Sequence, residues 1–298
     1  MMADGWSHGL EYFEVGADDP EYPAHLRESP DPPPRLYGVG DVATLRMPGL
    51  AVVGARKATP YGLSGARRFA GWAAQAGYPI VSGAARGCDQ AAHRSALDVG
   101  GTTVAVLGCG ADIAYPSDAQ ALLRAIAASG CVVSELPWGH PPAKWTFRAR
   151  NRIIAGLAGA LLVLEANVPS GTFVTADNAL AAGREVLVVP GSILAPECRG
   201  PNRLLRQGAT PITDVSELAQ ELRACLGEPC NLASGSGTDV EARATRDRIL
   251  SALRTDPARP DDLARILELD IVDVARRIGA LEAGGMIAKY PNGRYGPC

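Results

Sequence analysis

Short apolar runs recur through the middle of the chain, at 50–54 (LAVVG), 79–82 (PIVS), 102–107 (TTVAVL), 131–134 (CVVS), 160–165 (ALLVLE) and 186–190 (VLVVP). Each is Val-rich or otherwise branched, too short for a buried helix and closed by Gly, Pro or Ser nearby, which predicts buried strands. The stretches between them, 62–77, 88–99, 117–129, 148–158 and 171–183, read as helices. Strands that alternate with helices imply right-handed crossovers and a parallel sheet covered on both faces. The expected fold class is α/β, a doubly wound Rossmann-like, mostly parallel sheet. Such sheets bind ligands beyond the carboxyl ends of their strands, so the loops that follow the runs are the place to look for chemistry.

The flanks break this rhythm. Residues 1–48 contain a cluster of Pro30, Pro32, Pro33 and Pro34, which restricts the backbone and breaks helices, so they read as a short helical or irregular arm. The Rossmann-like domain is expected over 49–228, and 229–239 (PCNLASGSGT and one residue more) read as a flexible linker. Residues 240–298 read as a compact helical unit. Ile249, Leu250 and Leu253 share one face of a first helix, Pro260 and Asp261 open a second, and a third runs from Asp270 to Gly284-Gly285. A hairpin across Asn292-Gly293 completes a small winged-helix-like domain. Its third helix carries only Arg276 and Arg277 and the unit is net neutral. DNA-binding versions are usually basic, so a protein-contact or regulatory role stands beside a DNA-binding one.

Charge and cysteine usage narrow the function classes. The net charge is −3, but residues 1–50 carry −6 and residues 51–230 carry +3, so an anion site must be local rather than a general basic surface. Of the 29 bases 26 are Arg, which suits bidentate phosphate contacts, although genomic composition produces the same bias. No apolar run reaches ~18 residues, so no membrane-spanning helix is expected. The acidic N-terminus lacks the basic-then-apolar order of a secretory signal. Seven Cys without a C-x-x-C pair argue against a disulfide framework and against zinc. A cytoplasmic protein with no metal or cofactor and no catalytic residues is the expectation.

Four loops after the predicted strands share a design: Gly54 to Gly62, Ser82 to Asp89, Gly108 to Asp112 and Pro169 to Thr172. Gly admits close approach of an anion, the following helix presents unpaired N–H groups, and Arg56 and Arg86 add charge. The alternative is a set of tight turns with Ser, Thr and Asp as helix caps. Dinucleotide binding fits poorly, because the first turn reads GARKATPYG rather than G-x-G-x-x-G. Neither a Walker loop nor a G-x-S-x-G elbow is present. The segment 137–156, PWGHPPAKWTFRARNRIIAG, interleaves Trp138, Trp145 and Phe147 with Lys144, Arg148, Arg150 and Arg152. Bases offer faces for stacking and phosphates need cations, so this pattern suits single-stranded nucleic acid. The competing reading anchors the aromatics in the core and pairs the arginines with Glu135 or Glu165.

Together these residues resemble the DNA-processing protein A (DprA/Smf) family. The stretches that carry the likeness are VVGARKATPYG (52–62), SGAARGCDQAAH (82–93), TVAVLGCGADIAYP (103–116), SELPWG (134–139), FRARNRIIAGLAGALLVLEA (147–166), SGTFVTADNALAAGREVLVVPG (170–191) and GPNRLLRQGA (200–209). The resemblance implies a cytosolic protein that binds single-stranded DNA, forms homodimers and loads a RecA-type recombinase in natural transformation. Carried over by position, its DNA pocket uses Gly54, Arg56, Ser82, Gly83, Arg86, Lys144, Phe147, Arg150 and Asn151. The cations take phosphates, Phe147 stacks on a base and Asn151 contacts a base edge or caps the helix. Departures are Ala55 for the family's Ser, Cys88 in the SGLARGID-type turn, Arg148 for a Pro, and an N-terminal helical domain shortened to about 20 residues. The rival is an enzyme, a nucleotide-processing phosphoribohydrolase similar to the LOG family. Its P-G-G-x-G-T-x-x-E pattern is missing from VPSGTFVTADNA.

Overall fold

The computed structural model describes residues 6–228 and, beyond them, 248–253, 256–267, 269–283, 287–290 and 293–296. The chain divides into two compact units, Met1–Leu232 and Ala233–Cys298. In the first unit nine strands form one sheet: β1 (Tyr12–Gly16), β2 (Arg35–Gly40), β3 (Gly49–Val53), β4 (Ile80–Ser82), β5 (Thr103–Val106), β6 (Cys131–Ser134), β7 (Ala158–Val163), β8 (Glu185–Val188) and β9 (Thr210–Pro211). Their order across the sheet is β1-β2-β6-β5-β4-β3-β7-β8-β9. From β6 to β9 every pairing is parallel. The chain steps from β3 outward through β4, β5 and β6, then returns to the other side of β3 as β7. That reversal of direction opens a crevice at the carboxyl ends of β3 and β7.

The helices are a short α1 (Ala24–Arg27), then α2 (Pro60–Ala76), α3 (Cys88–Asp98), α4 (Gln120–Ser129), α5 (Lys144–Gly156), α6 (Gly171–Ala181), α7 (Arg199–Arg206) and α8 (Val215–Leu226). Side chains alternate across a strand, and β3 shows what that does for the core. Leu50 and Val52 join one apolar cluster with Phe69 of α2, Ala92 of α3 and Leu222 of α8. Ala51 and Val53 join the opposite one with Ile153 of α5 and Ala176 of α6. Every residue of β3 to β6 is buried, as a sheet covered on both faces requires.

Two elements differ from the sequence-based expectation. Residues 12–16 and 35–40, read as part of an irregular arm, extend the sheet as antiparallel strands. The Pro cluster lies in the connection between them, where the Tyr22 hydroxyl donates to the Pro33 carbonyl at 2.7 Å. Helix α5 begins at Lys144 instead of 148. Pro141 and Pro142 bar an earlier start. The Ala143 N–H donates to Thr146 Oγ1 at 3.3 Å, which forms the first turn.

The second unit holds α9 (described over 248–253), α10 (Pro260–Leu267), α11 (Ile271–Ala283) and the antiparallel pair β10 (Ala288–Lys289) and β11 (Tyr295–Gly296). Ile249, Leu253, Leu263, Val274, Ile278, Leu281 and Ile287 form its own core. The expected linker at 229–239, residues 240–247, Gly284-Gly285 and Asn292 lie outside the described residues. Among the described residues no helix is long and apolar enough to cross a membrane.

Candidate functional site

Helix α5 sorts the expected site residues by periodicity. Residues three and four apart share a helical face. Thr146, Arg150, Ile153 and Ile154 are buried on one face. Lys144, Phe147, Arg148 and Asn151 follow the same spacing on the other, where Lys144 and Arg148 are exposed and Phe147 and Asn151 half-buried. Phe147 therefore projects from the first turn of a helix rather than from a loop. Its ring packs over Gly108, at the end of β5, where an added Cβ would stand 2.7 Å from Phe147 Cδ1.

Four of the expected ligands make their contacts inside the fold. Arg150 is only 5% exposed. Its Nη1 donates to the Gly83 carbonyl at 2.9 Å and to the Val106 carbonyl, which ties the ends of β4 and β5 together. Burial lowers its pKa to about 10, against the opposing pull of the Asp89 carboxylate. Arg150 is thus a strut beneath the surface. Gly83 has to be Gly for this contact, because a Cβ there would meet the guanidinium at 2.4 Å. Ser82 is fully buried, and its hydroxyl donates to the Val52 carbonyl at 2.6 Å inside the sheet. Gly54 faces the Cys88 thiol at the start of α3.

In the glycine-rich loops several of the N–H groups already have acceptors within the fold. Glu165, buried at the end of β7, accepts from the Thr59 N–H at 2.9 Å, the Gly62 N–H at 3.2 Å and the Thr59 hydroxyl. Asp89 accepts from the Gly83 and Ala85 N–H groups at 3.2 and 3.3 Å. Burial raises the Asp89 pKa to about 6 even with Arg150 beside it. Asp112 takes the Gly139 N–H at 2.9 Å, and Ser170 Oγ takes the Thr172 N–H at 3.2 Å. In the third loop the Gly110 N–H donates to the His140 carbonyl at 2.9 Å. A cavity of about 350 Å³ at the β3/β7 crevice is lined by Thr59, Tyr61, Glu165, Gly191 and Cys198, with Glu165 already committed to α2.

Side-chain charge gathers around Phe147. The Arg56 guanidinium lies 5.7 Å from the centre of the Phe147 ring, and the Tyr115 ring packs against Phe147 at 5.1 Å between centroids. Lys144 stands one turn away on the same helix, and Trp145 is 63% exposed beside it. Arg86 is exposed and pairs with Asp118 at 3.1 Å. Asn151 donates to the Gly171 carbonyl at 3.5 Å. Arg152 pairs with Asp31 and Glu135, at 2.7 and 2.5 Å, as the core-anchoring reading supposed. Trp138 likewise packs on Tyr12 and Tyr37 and donates to Glu14 at 2.7 Å, so it fastens the segment to β1 and β2. Tyr115 is the contact that the sequence does not single out, and its signal is its place in the loop after β5; Arg148, named there among the interleaved cations, stands four residues from Lys144 on the exposed face.

Comparison with known proteins falls on the same stretches. A family model described as DNA recombination-mediator protein A matches residues 14–223, and a DprA winged helix domain model matches 237–293. The chain is 36% identical to Protein Smf of Escherichia coli over 97% of its own length and 78% of that protein. The structure of DNA processing protein A from Streptococcus pneumoniae is similar with a TM-score of 0.68 and 37% identity, over 71% of this chain and 74% of that one. DNA processing protein A from Helicobacter pylori, whose structure is presented for its single-stranded DNA binding mode, gives a TM-score of 0.66 and 30% identity over 73% of this chain and 98% of that one.

Proposed function

The chain belongs to the DNA recombination-mediator protein A family, the DprA/Smf proteins, and from that premise we propose that it binds single-stranded DNA at the carboxyl edge of its sheet. The observation that carries the reading is the Arg56–Phe147–Tyr115 stack beside Lys144. Aromatic faces for bases set among cations for phosphates are what a single strand needs. In this reading Arg56 and Lys144 hold phosphates, Arg86 and Arg148 flank them, Phe147 stacks and Asn151 meets a base edge. Gly54, Ser82, Gly83 and Arg150 shape the floor without touching DNA. The single-stranded DNA binding mode described for the H. pylori relative supports the ligand class.

The fuller role is a cytoplasmic homodimer that protects incoming DNA and loads a RecA-type recombinase in transformation and recombination. It acts by binding and not by catalysis. In the rival enzyme pattern a Glu follows three residues after the Thr, and here Thr175 holds that place, buried in α6. A gel shift with a single strand and its duplex tests the core of the proposal, with preference for the single strand expected and equal binding contradicting it. Release of base from a nucleoside monophosphate by the purified chain would instead support the enzyme. Faster assembly of a RecA-type recombinase on the bound strand tests the loading role.

A further inference from the structure

A second basic feature lies off the sheet edge and shares only Arg56 with the proposed strand site. A cavity of about 370 Å³ between α2 and α3 is lined by Arg56, Lys57, Arg67 and Arg94 over an apolar floor that includes Leu63 and Ala91. All four cations are exposed. Asp98 is the single acid in its lining. Among the described residues none of the four is ion-paired with a carboxylate, and the hydrogen bond that Arg94 makes goes to the neutral Gln90 amide at 3.2 Å. The walls are fixed to one another: the Ser95 hydroxyl of α3 donates to the Arg67 carbonyl of α2 at 2.7 Å.

Four like charges gathered in one cleft repel each other and focus a positive potential, an arrangement that an anion relieves. Arg56 belongs to this cleft and also overlies Phe147, so the cleft is continuous with the proposed strand site. Arg67 lies seven residues into α2, about 10 Å along the axis. We propose that the α2–α3 groove is an extension of the single-strand site. The phosphodiester backbone leaves the Phe147 pocket past Arg56 and runs over Lys57 to Arg67 and Arg94. This inference rests on the proposed single-strand binding and adds a direction and a length to it.

The test uses the full chain and fluorescence anisotropy with labelled oligothymidylates of about three and about twenty nucleotides, below and above the site sizes common for single-strand binders, across a range of salt. The double variant Arg67→Gln/Arg94→Gln should bind the short strand as the wild type does, within about twofold. On the long strand its log–log salt slope should be shallower by about 1.4, two contacts at ~0.7 each. Arg67→Lys/Arg94→Lys should restore the slope, and Arg68→Gln, outside the cleft and beside Asp214, should leave it unchanged. Thermal melting checks that each variant is folded. An unchanged slope on the long strand overturns the groove while leaving the Phe147 pocket intact. Equal weakening on both lengths also overturns it, since the arginines would then act on the pocket itself. A wild type that binds neither strand overturns the single-strand reading together with the groove.

Discussion

Arg150 and Phe147 lie three positions apart on α5, yet one is buried against the sheet and the other is half-buried between Arg56 and Tyr115. Arg150→Gln removes the charge that opposes Asp89 and the donors that join Gly83 to Val106. Breaking a buried charged partnership costs about 3–5 kcal/mol. Urea unfolding should register a loss of that order, while variant protein that is still folded binds DNA as the wild type does. Phe147→Ala should instead weaken single-strand binding by about 1–3 kcal/mol with an unchanged salt slope, because stacking is lost and charge is kept.

Acid sensitivity has a residue-level origin as well. Burial lowers the pKa of His93 to about 3 and that of His25 to about 4. Both are depressed below the unfolded value of about 6.5, so their contribution is present above pH ~6.5 and is lost as pH falls. Asp89 has the opposite sign: raised to about 6, it favours folding at low pH and loses that contribution as pH rises through about 6. Between pH 6.5 and 4 the histidines win by about one proton, worth up to ~1.4 kcal/mol per pH unit. Unfolding free energy measured at pH 7, 6 and 5 should fall in that order for the wild type, and His93→Gln should flatten the fall.

At the scale of elements, the six buried strands were legible because each is a short apolar run with turn residues at its ends. β1 and β2 were not. β1 buries only Val15 among its five residues, as an edge strand does, and so lacks the dense run that betrays a central strand. The Pro cluster that suggested an arm is the connection between the two. The start of α5 was misplaced by four residues because KWTF lacks a strong capping residue and is held by Thr146 instead. In the second unit the cations of α11 are spoken for: Arg276 and Arg277 pair with Asp273 at 2.5 and 2.7 Å. A chain ending at Gly227 should therefore keep single-strand affinity within about tenfold. A larger loss, with the truncated chain folded by circular dichroism, would bring the winged helix into the DNA site.

At the scale of the whole molecule, the doubly wound sheet follows from strand–helix alternation alone, and its strand reversal at β3 and β7 puts the crevice where that topology demands. The chemistry of the edge was only half readable. Gly, Ser and Arg at the loops were visible, but the acceptor that fills the first loop is Glu165, 106 positions from Thr59, and such a pairing exists only in the folded chain. Asp89 sat in plain view within its loop and was read as a cap without the consequence that it occupies the N–H groups of Gly83 and Ala85. Phosphate binding is proposed for the side-chain cations around Phe147 rather than for the helix N-termini. The most direct measurement is the salt dependence of single-strand affinity on a short oligonucleotide, for the wild type, Arg56→Gln and Lys144→Gln. Neutral N–H donors release few counterions, whereas each cation adds about 0.7 to the slope. A wild-type slope between about −2 and −3 is expected, made shallower by about 0.7 in each variant. Tight binding with a flat salt dependence, or slopes that both variants leave unchanged, would contradict it.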